Sequence, residues 1–114
     1  MKNAEAVLLV KFNSTLGPEQ LIKTCEEDLK IFKKVPGLIQ KYYIAEDSTG
    51  AISGFYIFET SSARAAFWTS ELAKTIPTRY AVILETLRVE QYEMAIVLND
   101  VLLVWVKSIY RYDQ

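Results

Sequence analysis

The sequence predicts a single α+β domain whose elements run β-α-β-β-α-β. Three observations predict it. Short runs rich in Val, Ile, Leu, Tyr and Phe alternate with two amphipathic stretches of helical spacing. Turn-forming groups at Asn13–Pro18, Val35–Gly37 and Asp47–Gly50 separate them. The 114 residues are 51% hydrophobic and 24% charged, enough for one core and unlike a disordered chain.

Each element has its own reason. Ala4 to Phe12 is apolar and rich in Val and Leu, a strand signal. Pro18 and Glu19 suit the first positions of a helix. Leu21, Ile22, Cys25, Leu29 and Phe32 then recur at helical spacing, with Glu26, Glu27, Lys30 and Lys33 on the other side. Val35-Pro36-Gly37 ends that helix, since proline cannot continue it and glycine tolerates the turn. Leu38 to Glu46 and Ala51 to Glu59 read as two strands joined by the hairpin turn Asp47-Ser48-Thr49-Gly50. Thr60-Ser61-Ser62 is an N-cap cluster for a second helix carrying Ala63, Ala66 and Phe67 on one stripe and ending before Pro77. Tyr80 to Tyr92 reads as a long fourth strand. This order is the split βαβ, or ferredoxin-like, sandwich: four antiparallel strands with two helices on one face. The chain 1–114 is read as one domain, with a core of about 4–98 and an extra C-terminal strand-like segment in 99–114.

Composition excludes several function classes. There is no histidine, which removes the Ser-His-Asp triad, histidine-ligated haem and the usual zinc hydrolase sites. Thirteen basic against fourteen acidic residues give a net charge of −1, so no electrostatic footprint for nucleic acid is expected. The one cysteine, Cys25, lies on the apolar stripe of the first helix and reads as a buried, inert thiol. Gly50 and Gly54 belong to no phosphate-loop signature. The N-terminal apolar run stops after Val10, too short for a secretory segment, so a cytoplasmic protein is expected. The C-terminal run is divided by Asn99-Asp100 and falls short of the ~20 residues that span a bilayer, so no membrane is expected.

A sheet covered by helices on one face normally shows polar residues on the other. In the third strand one parity holds Ile52, Gly54, Tyr56 and Phe58, and the other holds Ser53, Phe55, Ile57 and Glu59. In the fourth, Ile83, Leu87 and Val89 are expected on one face, with Val82 and Leu84 opposite. Two apolar faces need two covers, and the simplest second cover is another copy of the sheet across a two-fold axis. The segments Ala95–Leu98 and Val101–Val106 are expected to extend along that partner or to close an open sheet edge.

With the elements in this order, local words stand out. Val35-Pro36-Gly37-Leu38-Ile39-Gln40-Lys41-Tyr42-Tyr43 runs into Gly54-Phe55-Tyr56-Ile57-Phe58-Glu59 and on to Ser62-Ala63-Arg64-Ala65-Ala66. Over roughly residues 5–98 the chain resembles the small mono-oxygenase proteins of the dimeric α/β-barrel superfamily, the YdhR-like group. The resemblance implies a ferredoxin-like protomer that pairs with its twin into a barrel, with a pocket between sheet and helices. It also implies oxidation of polycyclic phenols or quinols without metal or flavin, hence no cofactor. A helix Trp faces the pocket in those oxygenases and corresponds to Trp68. The position one turn earlier, Asn in them, is Arg64 here.

Such chemistry asks the protein to orient a flat ring, exclude water and stabilise a phenolate-like anion. The candidate catalytic residues are Lys41, Arg64 and Trp68; the candidate substrate-binding residues are Tyr43, Tyr56, Phe58, Arg79 and Tyr80. Lys41 and Tyr43 share a strand face because side chains alternate. Tyr56 and Trp68 are residues more often found as core aromatics, and Lys41 and Arg88 as solvated or cross-strand paired cations. No cofactor and no metal ligand set is expected. The expected function is a cofactor-independent mono-oxygenase acting on a small aromatic or quinol-like compound. The alternative is a non-catalytic module of the same fold that holds a small apolar ligand or serves dimerisation. The expected partner is the chain itself, as a homodimer or larger assembly.

Overall fold

The computed structural model describes residues 4–95. The strand-like segments expected beyond them, and the extension 99–114, lie outside the described residues. Four strands form one antiparallel sheet in the order β2-β3-β1-β4. These are β1 (Ala6–Phe12), β2 (Leu38–Ala45), β3 (Ile52–Phe58) and β4 (Arg88–Glu93). Helix α1 (Pro18–Phe32) follows β1, and α2 (Ser61–Trp68) follows β3. The architecture is the α+β ferredoxin-like fold.

Local chemistry places the helices. Pro18 opens α1, with Glu19 in its first turn and Lys30 in its last, both favourable to the helix dipole. The Thr60 side chain caps α2 by accepting the Ala63 N–H at 3.0 Å. Gly37, at φ 76°, turns the chain between α1 and β2. A Cβ there would lie 2.4 Å from that of Ala63, so this glycine also lets α2 approach the turn.

The core lies between the helices and the sheet. Leu8, Val10, Tyr56 and Phe58 are its largest fully buried side chains. Phe67 of α2 packs on Tyr56 and Phe58, and Phe32 of α1 packs on Tyr56. On α1 the buried positions are Leu21, Cys25, Asp28 and Phe32. Ile22 and Leu29, expected on that stripe, are exposed. The seven- and eleven-residue spacings from Leu21 select Asp28 and Phe32 for the inward face instead.

The expected long fourth strand is corrected. The second helical region continues past Trp68 as α3 (Glu71–Lys74) and α4 (Ile76–Arg79), and Pro77 sits in the first turn of α4 rather than ending the region. Ala81, at φ 48°, then reverses the chain. Residues 80–87 bind the end of β1 irregularly: Thr15 N–H donates to the Ala81 carbonyl and Ile83 N–H to the Asn13 carbonyl. Only Arg88–Glu93 joins the sheet, so the expected face assignments for Val82, Ile83 and Leu84 do not hold.

The sheet face away from the helices carries Leu9, Tyr42, Ile44, Phe55 and Tyr92, as the pairings Leu9↔Phe55 and Tyr42↔Phe55 require. Tyr42, Ile44 and Tyr92 are 47%, 49% and 49% exposed, while Val7 and Ile57 on the same face are buried. No helix among the described residues is long and apolar enough to cross a membrane.

Candidate functional site

A break in register builds the site. Leu38 lies opposite Phe58 and Gln40 opposite Ile57, so β2 takes two steps while β3 takes one. This bulge at Ile39 reverses the facing of every later residue of β2. Lys41 therefore lies opposite Tyr56, and Tyr43 opposite Gly54, on the helix-covered face. An unbroken ladder would have turned Lys41 outward and Tyr42 inward.

Lys41 consequently ends in an aromatic box. Its Nζ lies 3.3 Å from the ring centroid of Phe32, 4.2 Å from that of Tyr43 and 4.4 Å from that of Tyr56. Tyr80 is further, at 6.0 Å. No carboxylate pairs with this amine among the described residues, in contrast to Lys11, which binds Glu46 at 2.7 Å. Burial disfavours the ammonium form and lowers the Lys41 pKa to about 7; a Cys25 thiolate would oppose this, but burial raises that thiol's pKa. The ring faces favour the cation and oppose the lowering.

The tyrosines are shifted the other way. Burial pushes Tyr43 up to about 12 and holds Tyr56 and Tyr80 above the ordinary phenol range, so all three are neutral donors at pH 7. Burial also raises the Cys25 thiol, which agrees with an inert role. The Tyr43 and Tyr80 hydroxyls are 3.4 Å apart. The Tyr80 hydroxyl donates to Asp28 Oδ2, and Arg79 donates to Asp28 Oδ1. Asp28 is 3% exposed, so this bidentate partnership is what makes its burial tolerable.

Gly54 completes the wall. A Cβ there would lie 2.8 Å from Tyr56 Cε1, so the bare glycine lets the Tyr56 ring lie across β3 toward the amine. Between these groups is a void of ≈10 Å³, bordered by Lys41, Tyr43, Gly54, Tyr56, Tyr80 and Cys25 among others. That is about the room one water needs. Outside it, between α1 and β2, runs an open groove of ≈320 Å³ lined by Ile22, Glu26, Leu29 and Ile44. Cys25, Tyr43 and Ile52 border both spaces.

The structure thus brings together Lys41, Tyr43, Tyr56 and Tyr80, with Arg79 attached through Asp28. Phe58 lies behind Tyr56, its ring stacked at 6.2 Å, and is wholly buried. Arg64 and Trp68 lie elsewhere. Arg64 donates to the carbonyls of Val7 and Tyr92 at 3.2 and 2.7 Å and pairs with Glu93 at 3.0 Å, fastening α2 across β1 and β4. Trp68 lines a separate depression of ≈270 Å³; Val10 and Ile76 form the wall between it and the void. Sequence reasoning missed Asp28. Its one signal is an acid placed between Cys25 and Phe32 on the apolar stripe of α1. Among the described residues no group of three Cys, Asp or Glu side chains is arranged to hold a metal ion.

No protein-family model matches the chain, and no curated protein matches it in sequence. Solved structures do match. A monooxygenase from the gene ActVA-Orf6 of Streptomyces coelicolor, in complex with the ligand nanaomycin D, has a TM-score of 0.63 at 16% identity, covering 84% of this chain and 92% of its own. A candidate antibiotic biosynthesis monooxygenase from Deinococcus radiodurans gives 0.63 at 12% identity, covering 82% and 96%. The NE2512 protein of Nitrosomonas europaea, of unknown function, gives 0.61 at 16% identity, covering 83% and 94%. What the chain shares with all three is architecture: the four-stranded antiparallel sheet and overlying helices of the ferredoxin-like fold.

Proposed function

We propose that the chain is a cofactor-independent mono-oxygenase acting on a small aromatic, quinol-like compound, and that it works as a homodimer. The observation that carries this reading is the Lys41 amine: boxed by rings, without a carboxylate partner among the described residues, and with a pKa that burial lowers to about 7. A free amine in this setting is a general base matched to a phenol or an activated ring CH₂. A ring lying in the α1–β2 groove would reach it past Tyr43, which borders both spaces.

The steps follow from that placement. Lys41 Nζ takes the substrate proton and becomes an ammonium held by the rings of Phe32 and Tyr56. The anion passes one electron to dioxygen, and the resulting radical and superoxide join through a new carbon–oxygen bond. Cleavage of the O–O bond with loss of water leaves a carbonyl. The sum is CH₂ + O₂ → C=O + H₂O, so the substrate supplies every electron. The neutral hydroxyl of Tyr43 supplies a donor for the developing anion, with Tyr80 held by Asp28 behind it. The dimer reading rests on the exposed Tyr42, Ile44 and Tyr92 of the outer sheet face.

One observation favours the alternative, a non-catalytic ligand-binding or dimerisation module. The void at the amine holds about one water, so the interior is closed as it stands. Oxygen uptake with a panel of hydroquinones and anthrones separates the readings. Turnover that Lys41→Met abolishes supports the oxygenase. No turnover, with an unaltered ligand retained in native mass spectrometry, overturns it in favour of the binding module.

A further inference from the structure

We propose that Lys41 is also a carbonyl-capturing amine, condensing reversibly with a flat aromatic aldehyde that enters along the α1–β2 groove. The inference rests on the ligand path just described but not on oxygen chemistry. Four features of the geometry carry it. First, Nζ is uncommitted: no hydrogen bond or ion pair holds it among the described residues, and the rings of Phe32, Tyr43 and Tyr56 face it. The other described lysines are either paired, as Lys11 and Lys74 are with Glu46 and Glu71, or exposed to solvent, as Lys23, Lys30, Lys33 and Lys34 are. Second, a proton donor is adjacent. Tyr80 commits its proton to Asp28, so Tyr43 donates to the Tyr80 oxygen over a long 3.4 Å contact, a weak bond that a ligand oxygen can replace. Third, the ≈320 Å³ groove, large enough for one substituted ring, shares the Tyr43 wall with the void that borders the amine, so a shift of Tyr43 joins the two. Fourth, the ≈10 Å³ void accommodates one water, which is the by-product.

The condensation balances without an oxidant or reductant. The Nζ lone pair attacks the carbonyl carbon, a C–N bond forms, and the carbonyl π pair moves to oxygen, which takes the Tyr43 proton. Nitrogen loses a proton, which restores the Tyr43 hydroxyl. The hydroxyl group then leaves as water with one further proton from nitrogen as the C=N bond forms. A desolvated, uncharged lysine is the form that reacts, and burial shifts Lys41 toward that form by lowering its pKa to about 7.

The test treats the full chain at pH 7 with 4-hydroxybenzaldehyde and sodium cyanoborohydride, which traps the imine as a secondary amine, and maps the adduct by peptide mass. The expected result is one adduct at Lys41, formed about tenfold or more faster than at surface lysines, whose ordinary pKa of ~10.4 leaves little free amine. Tyr43→Phe, which keeps the ring, should slow labelling several-fold. The same chain in concentrated urea should lose the preference for Lys41. Adducts spread over the surface lysines with Lys41 unfavoured, or identical patterns in folded and urea-treated chain, would overturn the proposal. Labelling at Lys41 without oxygen uptake leaves it standing and removes the oxygenase; uptake without labelling does the reverse.

Discussion

Replacing Lys41 with methionine removes the titratable nitrogen and leaves an unbranched chain of four heavy atoms in place of the lysine stem. In the folded chain this amine takes up its proton at about 7, whereas the ordinary value is 10.5. Between those limits the unfolded chain holds one proton more than the folded chain, so stability rises with pH. The rise approaches ~1.4 kcal/mol per pH unit where the folded amine is neutral and the unfolded one charged. From pH 6 to pH 9 it amounts to about 2–3 kcal/mol. Lys41→Met lacks this dependence. It should exceed the wild type in stability most at pH 6, and the difference should shrink by that amount by pH 9. The raised Cys25 and tyrosine groups act in the opposite sense at alkaline pH, but both chains carry them, so they largely cancel in the difference. Urea unfolding followed by tryptophan fluorescence at four pH values measures it, since urea does not screen charge. Parallel stability curves across the range would refute the reasoning.

Three further outcomes are expected. Gly54→Ala should push the buried Tyr56 ring out of place and cost about 1–3 kcal/mol, read by thermal unfolding. Asp28→Ala should cost about 2–4 kcal/mol, more than Asp28→Asn, because it strips both Arg79 and Tyr80 of their acceptor; urea titration of the two variants checks the order. If the outer sheet face pairs two copies, Ile44→Lys should convert the dimer to monomer in sedimentation at micromolar concentration, with the far-ultraviolet circular dichroism unchanged.

Much of the fold was legible because it rests on short-range patterns. The strands β1 and β3, the caps at Pro18 and Thr60, and the turn at Gly37 each announce themselves within a few residues. The alternation in β3 also gave its two faces, since Gly54, Tyr56 and Phe58 do face the helices. What escaped depends on long-range partners. The bulge at Ile39 is set by pairing with Phe58 and Ile57, and nothing local marks it. Asp28 is buried because Arg79 and Tyr80 reach it from α4 and its C-cap, more than fifty residues away. The apolar run from Tyr80 onward has strand composition, yet its backbone groups satisfy the end of β1 before the chain enters the sheet. In the site, Lys41 and Tyr43 share a strand face as side-chain alternation suggested, while Tyr56 and Tyr80 join them through the bulge and the end of α4; Arg64 and Trp68, one helical turn apart on α2, lie elsewhere.

Titration of the lysine side chains by NMR tests the central claim most directly, through the ¹³Cε and ¹⁵Nζ shifts of a labelled chain with Lys41→Met as the assignment control. The account expects one amine to titrate with a midpoint of about 7 and to vanish from the spectrum of the variant. A Lys41 signal that moves with the surface lysines near ~10.4 would show a solvated ammonium and would contradict both the base and the carbonyl chemistry assigned to it.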